Sequence, residues 1–369
     1  MKVDRRILLN PGPATTTDTV KQALVVPDIC PREKEFGDVL DSIKEDLVKV
    51  VHGEGDYTTA IFTASGTGGL EAAITSAVPN GSKLLVVDNG AYGARMAAIA
   101  TTFGIGVVHY KVTYGDQPNI STVEKLLNEH PEVSHVAVVH HETTTGMLNP
   151  VQQVCDVAHR HGAEVIVDCM SSYAGIPIDL RAWKASYVIS SSNKCIQGMP
   201  GLVFVIFKKA LLPALQKQRR SFYFDLYNQY TGFQKTGQMQ FTPPVQVVYA
   251  LRQAIDEYFQ EGETGRWNRY RESWETLYAG LKQLGFKFLL PRELESQILV
   301  AIVEPAHPGY NFDKMHDYLY QKGYTIYPGK GAKEATFRLS VLGDISKKDI
   351  AAFLTELKGY LVGAGVLAQ

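Results

Sequence analysis

Cysteine is scarce in this chain: four in 369 residues, at positions 30, 155, 169 and 195, with no CxxC pair among them. That spacing argues against a disulfide framework and against a zinc site. Long apolar runs are missing too; none approaches the roughly 20 residues that span a bilayer. Neither charge is in surplus, with 37 basic against 38 acidic residues and a formal net charge of −1. Such a balance offers no long-range field to gather nucleic acid or an anionic membrane. The opening MKVDRR turns through Asn10-Pro11-Gly12-Pro13 without the apolar stretch of a secretory signal. A cytoplasmic globular enzyme is the expectation.

What is present is ordinary folded composition, 45% apolar and 20% charged, in a length suited to two domains. From about residue 58 short apolar runs alternate with helical patterns. Thr58–Ala64, Lys83–Asp88, Val107–Val112, His135–His140, Glu164–Asp168, Tyr187–Ser191 and Leu202–Phe207 read as strands. Leu70–Val78, Ala94–Phe103 and Val151–His161 read as helices between them. Ser121 with Glu124 three positions on reads as a capping box. Strands apolar along their whole length and separated by helices predict an α/β fold: a mostly parallel seven-stranded sheet covered on both faces. Binding sites in such sheets form at the strand carboxyl ends.

After Lys208 the rhythm changes. Residues 220–244 are rich in Tyr, Phe, Gln and Gly and show no element. Helical patterns follow at Val245–Gln260, Trp267–Leu284, Phe312–Lys322 and Lys347–Leu361. Strand patterns fall at Lys287–Leu290, Ile298–Val303, Thr325–Tyr327 and Thr336–Val341. The expected division is a large domain over 21–259 and a smaller α/β domain over 260–369. Residues 1–20 are expected beside the smaller one, because Pro11 and Pro13 make a poor central strand.

The chemistry-bearing residues stand out by isolation. Lys194 is the only formal charge in ASYVISSSNKCIQGMPGLVFVIF, residues 185–207. A lone lysine is usually a solvated surface group, but an exposed loop of this length normally carries more charge. A sequestered lysine loses solvation of its ammonium form, and its neutral amine is the form that attacks a carbonyl. Asp168 ends the strand AEVIVD with no other charge between Glu164 and Asp179. It either caps the next turn or sits beside a protonated pyridine nitrogen, as pyridoxal phosphate requires. Thr63–Gly69, TASGTGG, joins a strand to a helical pattern and would suit a phosphate. It matches neither GxGxxG nor GxxxxGK[ST], which disfavours dinucleotides and nucleoside triphosphates. No GxSxG elbow supports a serine hydrolase.

Four further spots carry open alternatives. Glu142-Thr143-Thr144-Thr145-Gly146 is a polar loop or a set of hydroxyl donors to a ligand. Tyr92, among the glycines of NGAYGAR, packs ordinarily or lies flat on a ring. Arg338, inside ATFRLSVLG, is an edge-strand surface residue or faces a cleft to bind a carboxylate or phosphonate. His140 and His141 are adjacent on a strand, face opposite sides, and are not expected to grip one metal ion.

Taken together, Ser65-Gly66-Thr67, NGAYGAR (89–95), HETTTGMLNP (141–150), VDCMSS (167–172) and SSNKCIQGMPG (191–201) resemble the class V aminotransferases that depend on pyridoxal 5'-phosphate. The resemblance runs from LLNPGPATTT (8–17) to FRLSVLGD (337–344). It implies a fold-type I enzyme. The pairing of ETTTGMLNP with NKCIQG resembles the phosphonate branch of that family. That branch moves the amino group of 2-aminoethylphosphonate to pyruvate, with alanine– or serine–glyoxylate exchange as the alternative. By the same resemblance Lys194 would join the cofactor aldehyde and Asp168 would pair with its ring nitrogen. Tyr92 would stack on the ring and Thr143 would lie near its phenolic oxygen. Ser65, Gly66 and Thr67 would cradle the phosphate, with Asn193 nearby. Thr242 would reach the phosphate of a neighbouring subunit, implying a homodimer with shared sites. Arg338 would bind the substrate carboxylate. Two departures bear on the amine: Met239 stands where glyoxylate enzymes have a tyrosine, and Asp28–Phe36 reads DICPREKEF. Arg32 in that segment is a binder of the phosphonate dianion or one half of a surface salt bridge to a neighbouring Glu.

Overall fold

The computed structural model describes residues 4–329 and 335–367. Seven strands build the main sheet: β1 (Tyr57–Thr63), β2 (Lys83–Asp88), β3 (Gly106–Lys111), β4 (Val133–Val139), β5 (Glu164–Asp168), β6 (Tyr187–Ser191) and β7 (Leu202–Lys208). Their order across the sheet is β1-β7-β6-β5-β4-β2-β3. Neighbours are parallel except at β7, which runs antiparallel to both β1 and β6. Six strands therefore end at one edge, and β7 starts there. This is the mostly parallel seven-stranded sheet that the patterning predicts.

Alternation along each strand feeds two cores. Leu202, Phe204 and Ile206 of β7 join one, whereas Val203, Val205 and Phe207 join the other. On the first face lie α1 (Lys34–Lys49), with Leu40, Ile43 and Leu47 inward, and part of the later helices. On the second lie α2 (Gly66–Ala77) and α3 (Ala91–Thr102), through Leu70, Ile74, Met96 and Ala100. Each such aliphatic side chain contributes about 1.5–3 kcal/mol when fully buried. Double coverage is why the strands read as continuous apolar runs.

Three local expectations need correction. Helices α2 and α3 begin at Gly66 and Ala91, four and three residues before the patterned starts, so Tyr92 lies in a first helical turn. Glycines disguised the α2 start, since glycine is a poor helix former. A Cβ on Gly69 would come 2.8 Å from Ile189 Cγ2, so the helix needs its small residues to reach the sheet. Helix α4 (Ile120–Glu129) has no Ser121 capping box: Asn119 is its cap, and Asn119 Oδ1 accepts from Ser121 N at 2.9 Å. Asparagine is among the strongest N-caps, and it claimed the position first. Residues 220–244 hold a helix after all, Leu226–Thr236, capped by Asp225 and ended by Gly237 at φ 67°.

A second sheet has four strands: β8 (Lys287–Phe288), β9 (Leu299–Val303), β10 (Tyr327–Pro328) and β11 (Thr336–Ser340), in the order β8-β9-β11-β10, all antiparallel. It packs with Trp274, Leu319 and Phe353 from three helices into a separate apolar cluster. Near the N-terminus Ile7–Leu8 pairs in parallel with Tyr324–Thr325, and Thr15 bridges to Gly343. No helix among the described residues is long and apolar enough to cross a membrane.

Candidate active site

At the edge where six strands end, a cavity of about 450 Å³ opens. Each wall is a strand terminus or the loop after it. Strand β5 delivers Asp168, β4 delivers Val139, and β6 ends at Ser191 just before Asn193 and Lys194. Pro200 and Gly201 close the same edge because β7 starts there. Ser65, Gly66 and Thr67 line it from the start of α2, Tyr92 from α3, and Thr143 from the loop after β4. Eight residues singled out from the sequence thus meet around one space.

Two ionisable groups in it are shifted toward each other. Lys194 is partly open to the cavity, yet burial within the protein lowers its amine to about 8. The nearby charge of Asp168 works the other way and does not win. Asp168 is fully enclosed, and burial raises its carboxyl to about 6 against the ordinary 3.8. Its Oδ1 accepts from Met170 N at 2.9 Å, while its buried Oδ2 has no hydrogen-bond partner among the described residues. Unpaired buried carboxylate oxygens are costly, and a cationic N–H is what would satisfy this one.

The cavity has a complementary anion end. Ser65 is the N-cap residue of α2, but its side chain makes no capping hydrogen bond. The positive end of a twelve-residue helix and its first amides therefore face the space, with no acidic side chain in the first turn. A Cβ on Gly66 would approach Met170 Sδ to 2.7 Å, so this cradle and the Asp168 wall are built to lie close together.

Other site residues are placed less simply. Arg338 is buried one layer behind Thr143, donating to Thr143 O at 3.1 Å and to Pro328 O at 3.2–3.3 Å. Its strand is β11, central in the second sheet rather than at an edge. Thr242 is exposed and lies away from the cavity of its own chain. Arg32 does not line the cavity of its own chain; it is exposed, donating to Gln238 Oε1 (3.1 Å) and Met239 O (3.0 Å). Both acceptors lie just past the end of the Leu226–Thr236 helix, and no glutamate pairs with Arg32 among the described residues.

Among the cavity residues that sequence reasoning missed, two are ionisable. Arg95 lies 4.9 Å over the Tyr92 ring, with Nη1 3.4 Å from Thr67 Oγ1. Helical spacing was the available signal, since i and i+3 share a face. His141 was weighed only as half of a metal pair. Strand alternation places Val139, His141 and Thr143 together on the cavity, while His140 turns away to meet Trp183 edge-on at 4.7 Å. Burial holds His141 neutral, at about 3, and its Nε2 is buried without a partner among the described residues. Glu142 faces neither; it accepts from Tyr92 N (3.2 Å) and Thr144 Oγ1 (2.6 Å), locking the start of α3 to this loop.

The comparisons with known proteins agree with this geometry. The family model for aminotransferase class-V matches residues 20–353. The chain belongs to the class V aminotransferases. Its cofactor is pyridoxal 5'-phosphate, and the residues present fit it: an amine, an unpaired buried carboxylate oxygen and a helix-terminal cradle share one cavity. Over 355 residues the chain is 40% identical to the 2-aminoethylphosphonate–pyruvate transaminases of Salmonella enteritidis PT4 and Salmonella typhimurium, covering 95% of this chain and 96% of theirs. An alanine–glyoxylate aminotransferase from Nostoc sp. superposes with a TM-score of 0.90 at 25% identity, covering 98% of this chain and 96% of that one.

Proposed function

We propose that this enzyme transfers the amino group of 2-aminoethylphosphonate to pyruvate, giving phosphonoacetaldehyde and L-alanine. The observation that carries the reading is the meeting of Lys194, Asp168 and the α2 cradle in one cavity, on a chain so similar to the phosphonate enzymes over nearly its whole length. Alanine– or serine–glyoxylate exchange is the second reading. The Nostoc likeness favours it, at 25% identity against 40%.

Bound pyridoxal 5'-phosphate supplies an aldehyde that condenses with amines and a ring that takes up an electron pair. The chain's residues divide the remaining work. Ser65, Gly66 and Thr67 hold the phosphate on amides and hydroxyls at the positive end of α2, with Asn193 beside them. Asp168, with its unpartnered Oδ2, would accept from the ring N–H and keep that nitrogen protonated. Tyr92 would pack on the ring, and Thr143 would donate to its phenolic oxygen. Lys194 Nζ, neutral in an appreciable fraction near pH 8, takes a proton from the substrate carbon and hands it on. Arg338, one layer behind Thr143, would bind the carboxylate of pyruvate once its guanidinium is drawn off the backbone oxygens of Thr143 and Pro328.

Exposed Thr242 lies beside Phe222, 83% exposed, through the Phe222–Phe241 ring contact. That surface supports a homodimer in which Thr242 completes the partner's phosphate site. Arg32, tied to Gln238 and Met239, would shape that segment rather than touch the amine. We place the division between large and small domains at 259/260, with residues 1–20 alongside the small one, and the enzyme in the cytoplasm, within phosphonate breakdown.

The test is a donor panel. The purified protein with cofactor and pyruvate should form alanine and phosphonoacetaldehyde in equal amounts from 2-aminoethylphosphonate. Faster alanine consumption with glyoxylate, and none of the aldehyde, would replace the proposal with the second reading.

A further inference from the structure

The segment Leu9–Ala14 has no part in the roles above, yet it touches the reactive amine. Lys194 Nζ donates to Pro11 O at 2.6 Å. Gly12 follows at φ +126°, a conformation L side chains rarely adopt. A Cβ there would collide with Nζ itself and lie 2.6 Å from Cδ and 2.8 Å from Cε of the same lysine. Backbone conformation and lysine thus both demand glycine at this position.

The loop is clamped on two sides. Ala14 N donates to Asn193 O at 2.9 Å, next to the lysine. On the other side Ser340 N donates to Leu9 O at 2.8 Å, and Ser340 Oγ donates to Asn10 O at 2.7 Å. Ser340 is two residues from Arg338 on β11, so both point to the same face of that strand. A carbonyl held from both ends keeps its direction; a free loop would let it wander.

We propose that the Pro11 carbonyl is the docking point of the Lys194 amine whenever that amine is not joined to the cofactor, and that Gly12 is the positioning residue that leaves room for it. The inference rests on the transaminase reading. A neutral amine has two N–H bonds and one lone pair. Once one N–H is given to Pro11 O, rotation about Cε–Nζ is restricted and the lone pair is turned to the cavity. There it takes the proton from the substrate carbon, while the C–H electron pair stays with the substrate–cofactor unit. The ammonium so formed binds Pro11 O more tightly, because the bond becomes charge-assisted. Returning the proton to the cofactor restores the neutral amine. The carbonyl therefore offsets part of the burial that disfavours the protonated lysine.

One measurement needs no variant. In a crystal of the protein saturated with pyridoxamine 5'-phosphate, which leaves the lysine free, Nζ should lie within about 3.2 Å of Pro11 O. An amine turned elsewhere over an ordered loop overturns the inference. Gly12→Ala supplies the second measurement. The KM values for amine and pyruvate should stay within about threefold while kcat falls about a hundredfold. In the cofactor-free protein, the midpoint pH for acetylation of Lys194, followed by peptide mass spectrometry, should drop by about one unit. An unchanged kcat and midpoint also overturn it. If the variant does not fold, the pyridoxamine 5'-phosphate crystal decides alone. A protein that transaminates normally with Nζ away from Pro11 refutes only this inference, whereas one that makes no alanine refutes the function on which it rests.

Discussion

Two clusters of buried charge lie close together in this molecule and behave in opposite ways. Beside the lysine loop, Arg266 donates to Cys195 O at 2.7 Å and pairs with Glu261, which also accepts from Arg269 Nε at 2.6 Å. Burial would raise Glu261, but the two guanidiniums outweigh it and hold the carboxyl below its ordinary value. In the cavity, Asp168 and Lys194 are enclosed more deeply than the half-buried Glu261 and have no salt-bridge partner among the described residues, and burial wins for both. Paired charges brace the fold; unpaired ones are held ready for a ligand. Burial alone does not mark a reactive group. Burial without a charged partner, on the wall of a cavity, does.

The same contrast was visible along the chain. Glu261–Arg271, EGETGRWNRYR, is dense with charges of both signs, and its members find one another on one helix and its start. Lys194 and Asp168 each stand alone in long uncharged stretches, which is why the sequence pointed to them. Strand periodicity carried the sheet, since double coverage leaves a continuous apolar signature. Helix starts at glycines were illegible because poor local propensity was overruled by close packing on the sheet. Pro11 and Gly12 were illegible for another reason: their contact with Lys194 spans 183 positions, and no local pattern announces it. Arg32 stood out because its segment was unusual, and within the chain it is held by Gln238 and the Met239 carbonyl rather than placed on the cavity.

The contrast can be broken by substitution, most severely at the lysine. Lys194→Ala should lower alanine formation by about 10⁴-fold or more, since both the covalent attachment and the proton carrier are lost. Residual activity within tenfold of wild type would end the account.

Asp168→Asn comes next. In the cofactor-loaded protein kcat should fall about 10²–10³-fold, measured by the same alanine assay. In the cofactor-free protein the effect concerns stability. Asp168 binds its proton at about 6 when folded, above the ordinary 3.8, so this group favours the folded state at low pH and loses that contribution as pH rises through 6. Denaturant midpoints should show a fall of about 3 kcal/mol between about pH 4 and pH 7 that the Asp168→Asn protein lacks.

Glu261→Gln should do the reverse. Removing one partner strands two guanidiniums and should cost about 3 kcal/mol of stability at neutral pH. The kcat of the folded enzyme should stay within about threefold, read by thermal melts beside initial rates. Arg32→Ala has the smallest expected effect: a KM for the amine within about twofold of wild type, by steady-state kinetics.

The most direct measurement is chemical. The cofactor-loaded protein is reduced with borohydride, digested and mapped by mass spectrometry. The account predicts the cofactor on the Lys194 peptide, with none on the buried Lys44. Label elsewhere, or no label on a protein that still makes alanine, would contradict it.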